Sequence, residues 1–123
     1  MSELKKAINM IKVDKIKEIT VAVVEEMDKI VAFNADTIKK ELNAIFNTPG
    51  TNLILNLQNV AFIDSTGFGV FLSVYKTATG NAGSMKICCI KPDVMKLFRL
   101  LHLDNVFELY DTQEECLNSY TKI

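Results

Sequence analysis

The chain has 123 residues, with 14 Lys and Arg against 15 Asp and Glu and a formal net charge of -1. A hydrophobic content of 49% fills one core at this length, which excludes a disordered chain and favours a single domain over residues 1–123. The near-neutral charge argues against a nucleic-acid partner, and no apolar run approaches the roughly 20 residues of a membrane span. We therefore expect a cytoplasmic domain with its core over about residues 10–120.

Apolar periodicity and turn residues predict alternating strands and helices. Residues 11–16 and 19–24 flank a short polar turn and are typical of a β-hairpin. The predicted strands cover residues 11–16, 19–24, 53–57, 60–63, 85–90 and 106–110, and the predicted helices cover residues 34–48, 66–79, 92–103 and 112–120. Asn34 is expected to cap the first helix. This order predicts an α/β fold in which about four helices cover a mixed, largely parallel sheet that opens with a hairpin.

The segment Asp64-Ser65-Thr66-Gly67-Phe68-Gly69 marks the start of the second predicted helix. Each glycine costs a helix up to about 1 kcal/mol relative to alanine, so two of them in the first turn indicate a close approach to this backbone. One explanation is structural: Ser65 caps the helix, and the glycines let it pack tightly on the sheet. The other is functional. A helix N-terminus tolerates a phosphate, and a phosphate on Ser65 adds a charge of about -1.5 to -2 beside Asp64, which repels a partner.

One face of this helix is small and uncharged. At 100° per residue, it lies opposite the apolar stripe that includes Phe68 and Phe71. Its residues are Thr66, Gly69, Val70, Ser73 and Thr77. A solvated helix face usually carries charges, so this one is either a docking surface or a face covered by another element of the same domain.

Other reactive side chains give weaker signals. Cys88, Cys89 and Cys116 form no C-x-x-C pair and are expected to be reduced, buried thiols. As neighbours on a strand, Cys88 and Cys89 point to opposite faces and cannot jointly bind a metal. His102 is the single histidine, and Ser73-Val74-Tyr75-Lys76 matches S-x-x-K without its companion motifs. We expect neither an enzyme active site nor a metal or cofactor.

The segment at 64–69 resembles the D-S-[ST]-G-x-G signature of STAS domains, and particularly of the bacterial anti-sigma-factor antagonists. The resemblance extends over about residues 10–120, because the predicted elements follow the order found in that family. In the family, the serine directly after the aspartate is phosphorylated by a partner that is both a kinase and an anti-sigma factor. Carried over to this sequence, that serine is Ser65.

The resemblance also implies a function. Family members bind the anti-sigma factor when unphosphorylated, which releases the sigma factor, and a PP2C-type phosphatase resets the phosphorylated form. Partner contacts are expected around the signature, at Asp64, Thr66, Gly67, Gly69, Val70 and Ser73, and at Asp28. No small-molecule substrate is expected. The alternative is a STAS scaffold or transporter-accessory subunit that does not switch.

The loop before the first helix departs from the family pattern. Family members commonly have an aspartate in this turn that contributes to partner contacts. When Asn34-Ala35 is aligned with the start of the family's helix, Val31 occupies the aspartate position. Asp28 can take that position only with a shift in the loop, so either residue remains a candidate.

Overall fold

The computed structural model describes residues 10–121. In chain order, its elements are β1 (Ile11–Ile16), β2 (Ile19–Val24), β3 (Lys29–Ile30), α1 (Ala32–Ile45), β4 (Asn52–Asn56), β5 (Phe62–Ile63), α2 (Ser65–Gly80), β6 (Ser84–Cys88), α3 (Pro92–Leu100), a 3-10 turn (Leu103–Asn105), β7 (Leu109–Tyr110) and α4 (Gln113–Thr121). The main sheet has the strand order β1-β2-β4-β6-β7. Its β1–β2 pair is antiparallel and its other pairs are parallel.

The central strand β4 is buried on both faces of the sheet. Leu53 and Leu55 belong to the larger core, which includes apolar residues of α1, α2 and α3. Ile54 faces the opposite side, where it packs with Cys116 of α4. Side chains alternate between the two faces of a strand, so a continuous apolar run such as 53–55 is what a strand between two helical layers needs.

The hairpin, the four helices and the largely parallel sheet are confirmed by the structure. Several elements end earlier or are shorter than predicted: only Phe62–Ile63 of residues 60–63 and Leu109–Tyr110 of residues 106–110 are strand, and the third helix ends at Leu100. The first helix ends at Ile45 instead of residue 48, and β6 ends at Cys88 instead of residue 90. The chain leaves that helix through His102, an exposed residue with a φ of 60°. The left-handed conformation ends the helix before residue 103. Leu103, which the apolar pattern assigned to the helix, instead begins a 3-10 turn.

A second, two-stranded sheet was not predicted. β3 pairs in parallel with β5, with Lys29 opposite Phe62 and Ile30 opposite Ile63. Each strand has only two residues, which is too short for an alternating pattern to be visible in the sequence. This small sheet leads directly into α1 on one strand and α2 on the other, so it sets the two helix starts side by side.

The prediction that Asn34 is the N-cap of the first helix is wrong. The helix begins two residues earlier, at Ala32, and Asn34 occupies its third position. From there the buried amide side chain accepts a hydrogen bond from the Val31 N–H at 2.9 Å and donates one to the Lys29 carbonyl at 2.8 Å. Asn34 therefore joins β3 to the first turn of α1.

We expect Asn34→Ala to lower the free energy of unfolding by about 2 kcal/mol, because it removes the hydrogen bonds of a buried amide to the Val31 N–H and the Lys29 carbonyl. Urea unfolding followed by circular dichroism measures this change. The matched control is Asp36→Ala in the same helix. The Asp36 carboxylate pairs with Lys40 at 3.2 Å, but both side chains are more than three-quarters exposed. The control should change stability by less than about 0.5 kcal/mol, and an equal loss in both variants would contradict the role of Asn34.

Candidate functional site

The turn between β5 and α2 carries the signature motif. β5 ends at Ile63 and α2 begins at Ser65, so Asp64 is the N-cap of the helix. Its carboxylate oxygen Oδ1 accepts a hydrogen bond from the Gly67 N–H at 3.0 Å. The structural explanation that made Ser65 the cap is therefore wrong, because Asp64 fills that position. Ser65 is the first helical residue, and it is exposed.

The second carboxylate oxygen of Asp64 reaches the neighbouring helix. Oδ2 accepts a hydrogen bond from the N–H of Ala32, the first residue of α1, at 3.2 Å. Asp64 also donates its own N–H to the Ile30 carbonyl at 3.1 Å, which continues the pairing of β3 with β5. One carboxylate thus sits at the positive ends of two helices, where a negative charge is favoured by both helix dipoles.

The two glycines of the motif differ in their surroundings. A Cβ on the buried Gly67 would lie 2.6 Å from Ile63 Cγ2 and 2.7 Å from the Ile30 carbonyl oxygen, so only glycine fits there. A Cβ on the exposed Gly69 would meet nothing within 4 Å. The close approach that the sequence predicted is therefore made by the small sheet at Gly67. No contact within residues 10–121 accounts for the glycine at position 69.

The small face of α2 is largely covered by α1, against which it packs. Val70 is buried and Ser73 and Thr77 are half-buried, so for this part of the helix the second alternative holds, a face covered by another element of the domain. The partner contacts expected at Val70 and Ser73 are therefore not on an open surface. Gly67 is also buried and offers no surface to a partner. What remains open is a shallow groove between the first turns of the two helices. Its lining residues are Ala32, Ala35, Asp36, Lys39, Thr66, Gly69 and Val70.

The loop residues Asp28 and Val31 lie at different distances from Asp64 along the small sheet. Continuing the register of β3 and β5 by one residue places Val31 opposite Asp64 and Asp28 opposite Ala61. The Asp28 carbonyl accepts the N–H of Ala61 at 2.7 Å, which agrees with that register. Asp28 is exposed, but it lies at the far end of the small sheet from Ser65.

Two exposed aromatic residues near the signature were missed by the sequence analysis. Phe33, in the first turn of α1, has 85% of its surface exposed, and Phe62, on β5, has 48% exposed. Phe33 falls outside the apolar stripe of its helix, which contains Ala35, Ile38 and Leu42. This position could have identified Phe33 as an exposed residue from the sequence. Large aromatic side chains are enriched at the energetic centres of protein interfaces.

Known proteins resemble this chain in sequence. The STAS domain family matches residues 8–116. The anti-sigma F factor antagonist of Paenibacillus polymyxa is 30% identical over 84 residues, which cover 68% of this chain and 72% of that protein. Within residues 10–121, no helix has the length and apolar character needed to span a membrane, and no cluster of His, Cys, Asp and Glu is arranged to hold a metal ion.

Solved structures share the fold at low sequence identity. An anti-sigma-factor antagonist domain protein from Planctomyces limnophilus aligns with a TM-score of 0.84 at 18% identity and covers 91% of this chain and 98% of that one. The Bacillus cell fate determinant SpoIIAA in its phosphorylated form aligns with a TM-score of 0.66 at 21% identity and covers 89% and 98% of the two chains. With the signature segment at the start of α2 and the family match over most of its length, the chain belongs to the STAS domain family.

Proposed function

We propose that the chain is an anti-sigma-factor antagonist whose binding to an anti-sigma factor is controlled by phosphorylation of Ser65. The observation that carries the proposal is the position of this serine: it is exposed and leads α2, while Asp64 performs the capping. A kinase can therefore modify the hydroxyl without removing a hydrogen bond that the helix start needs. The antagonist part of the proposal is supported by the relative from Paenibacillus polymyxa, which is named an anti-sigma F factor antagonist.

The arrangement at Asp64 determines what a phosphate on Ser65 does. Helix N-terminal N–H groups normally attract a phosphate, but here the Asp64 carboxylate already accepts the N–H groups of Gly67 and Ala32. The phosphate adds about -1.5 to -2 of charge next to that carboxylate, so its charge is not neutralised within the domain. The added charge acts on a partner surface that fits the neutral hydroxyl, and the partner dissociates by like-charge repulsion.

The proposed cycle has three participants. An anti-sigma factor with serine kinase activity binds the unphosphorylated chain and gives up its sigma factor. Phosphorylation of Ser65 by that kinase ends the complex, and a PP2C-type phosphatase restores the hydroxyl. The contact surface consists of Thr66 and Gly69 in the groove and Ser65 at the start of α2. It also includes the exposed Phe33, which follows Ala32 in the chain, and the exposed Phe62, two residues before Asp64. In this proposal the chain is a regulator and performs no catalysis.

The switch is tested with Ser65→Ala and Ser65→Glu. After incubation with ATP and the candidate anti-sigma-factor kinases of the same genome, mass spectrometry should locate phosphate on Ser65 of the natural chain and none on Ser65→Ala. In calorimetry, Ser65→Ala should bind the kinase as the natural chain does, and Ser65→Glu should bind roughly tenfold or more weakly.

Asn118→Asp is the matched charge control, because Asn118 is exposed on α4, on the opposite side of the sheet. It should bind like the natural chain. Equal binding by all these variants, or phosphate on another residue, would contradict the switch. Binding without any phosphorylation would favour the scaffold alternative.

Gly69→Ala separates folding from partner binding. The added methyl group has open space and replaces glycine inside a helix, so the free energy of unfolding should rise by up to about 1 kcal/mol. A partner that approaches this backbone should nevertheless bind more weakly. Gly80→Ala is the control, since Gly80 also has open space but lies at the other end of α2. Gly67→Ala should instead destabilise the chain. Unchanged kinase affinity in Gly69→Ala would remove Gly69 from the interface.

Phe33→Ala tests whether an exposed aromatic residue anchors the partner. With 85% of Phe33 exposed, stability should change by less than about 0.5 kcal/mol, while kinase affinity falls roughly tenfold or more. Leu100→Ala is the control, because Leu100 is 72% exposed at the end of α3. Surface plasmon resonance on the immobilised kinase measures the affinity of both variants. Equal affinity of the two variants would show that exposure alone does not mark the contact surface.

A further inference from the structure

The three cysteines lie together on the α4 side of the sheet. β6 ends at Cys88, and Cys89 follows it with a φ of 63°, a left-handed conformation that breaks the alternation of a strand. The two sulfur atoms are therefore 3.5 Å apart, and the prediction that they point to opposite faces is wrong. Cys116 of α4 packs in the same apolar cluster as Cys88, and Cys89 lies against it.

The three thiols differ in access and in acidity. Cys88 and Cys116 are fully buried, whereas Cys89 is partly exposed. The hydrogen bond with Cys116, together with burial, raises the pKa of Cys88 far above its ordinary value. The same hydrogen bond, helped by the positive charge of Lys86, lowers the pKa of Cys116. Reagents therefore reach Cys89 first, because it is the partly exposed thiol of the three.

We propose that Cys88 and Cys89 form a thiol–disulfide modification site that closes into a disulfide between adjacent residues. The oxidant is a low-molecular-weight disulfide such as oxidised glutathione. The geometry carries the proposal, because the sulfur atoms need to approach by about 1.5 Å to reach the bonding distance of about 2.05 Å. Cys88 is the last residue of β6 and Cys89 follows it directly, so the approach takes place within one short segment of the chain.

The reaction takes place in two exchange steps. The Cys89 thiolate attacks one sulfur of the reagent, which forms a mixed disulfide and releases one thiolate. The Cys88 sulfur then attacks the Cys89 sulfur, and the second half of the reagent leaves with the Cys88 proton as a free thiol. With the protons returned to the two released thiols, the protein has lost two hydrogen atoms and the reagent disulfide has been reduced to two thiols.

Peptide mapping of the full chain tests this site. The reduced protein is incubated with oxidised glutathione, denatured, treated with N-ethylmaleimide and digested with trypsin, which places Cys88 and Cys89 in one peptide and Cys116 in another. We expect the peptide with Cys88 and Cys89 to be lighter by two hydrogen atoms and to carry no maleimide, while Cys116 is alkylated. A Cys88–Cys116 cross-link, a glutathione adduct that persists on Cys89 of the natural chain, or fully alkylated cysteines would each overturn the proposal.

Two variants identify the role of each sulfur. In Cys88→Ala, the mixed disulfide on Cys89 has no resolving thiol, so a stable glutathione adduct should accumulate at Cys89. In Cys116→Ala, the ring should still close, because the two exchange steps need only Cys88 and Cys89. Circular dichroism verifies that each variant is folded, and the mapping of the natural chain decides the question if a buried alanine prevents folding. Absence of a Cys89 adduct in folded Cys88→Ala contradicts the proposed entry point.

Discussion

The hydrogen bonds of the Asp64 carboxylate are the constraint on which the signature region depends. One side chain accepts the first N–H group of α1 and a first-turn N–H group of α2, and its backbone extends the pairing of β3 with β5. These hydrogen bonds fix the first turns of α1 and α2 next to each other, and the groove lies between those two turns. The same carboxylate occupies the place where an anion would otherwise bind. The adjacent Ser65 is left exposed and takes no part in these hydrogen bonds.

The sequence was most informative where periodicity runs over many residues. The hairpin, the buried run at 53–55 and the four helices were predictable because each repeats its pattern over at least one full period. The role of Asn34 could not be predicted in this way. Its residue type favours a cap, but its hydrogen bonds to Val31 and Lys29 depend on a two-residue strand that has no detectable pattern. The left-handed Cys89 was equally inaccessible, since no local residue preference requires a positive φ there.

The candidate site shows the same division. Ser65 and Asp64 could be located from the motif, but the motif did not say which of the two caps the helix. The small face of α2 carries uncharged residues along its whole length, yet Val70 is covered by α1 while Gly69 is open. Which of these residues α1 covers depends on how the two helices pack, which the sequence of α2 alone does not show. Helical phase therefore identified the residues of this face, but it did not show where the covered part ends and the open part begins. Gly67 and Gly69 are chemically identical, and only the positions of Ile30 and Ile63 distinguish their roles.

The edge strand β1 has a consequence for behaviour at high protein concentration. It forms one end of the main sheet, and after Ile11 each of its residues is exposed. An open strand edge is a template for association with other chains, which natural proteins prevent with charged side chains. Lys12, Asp14 and Lys15 lie along this edge, so a neighbouring strand in most registers must bury or oppose a charge. The charges along β1 thus protect this edge of the main sheet against uncontrolled association with other chains.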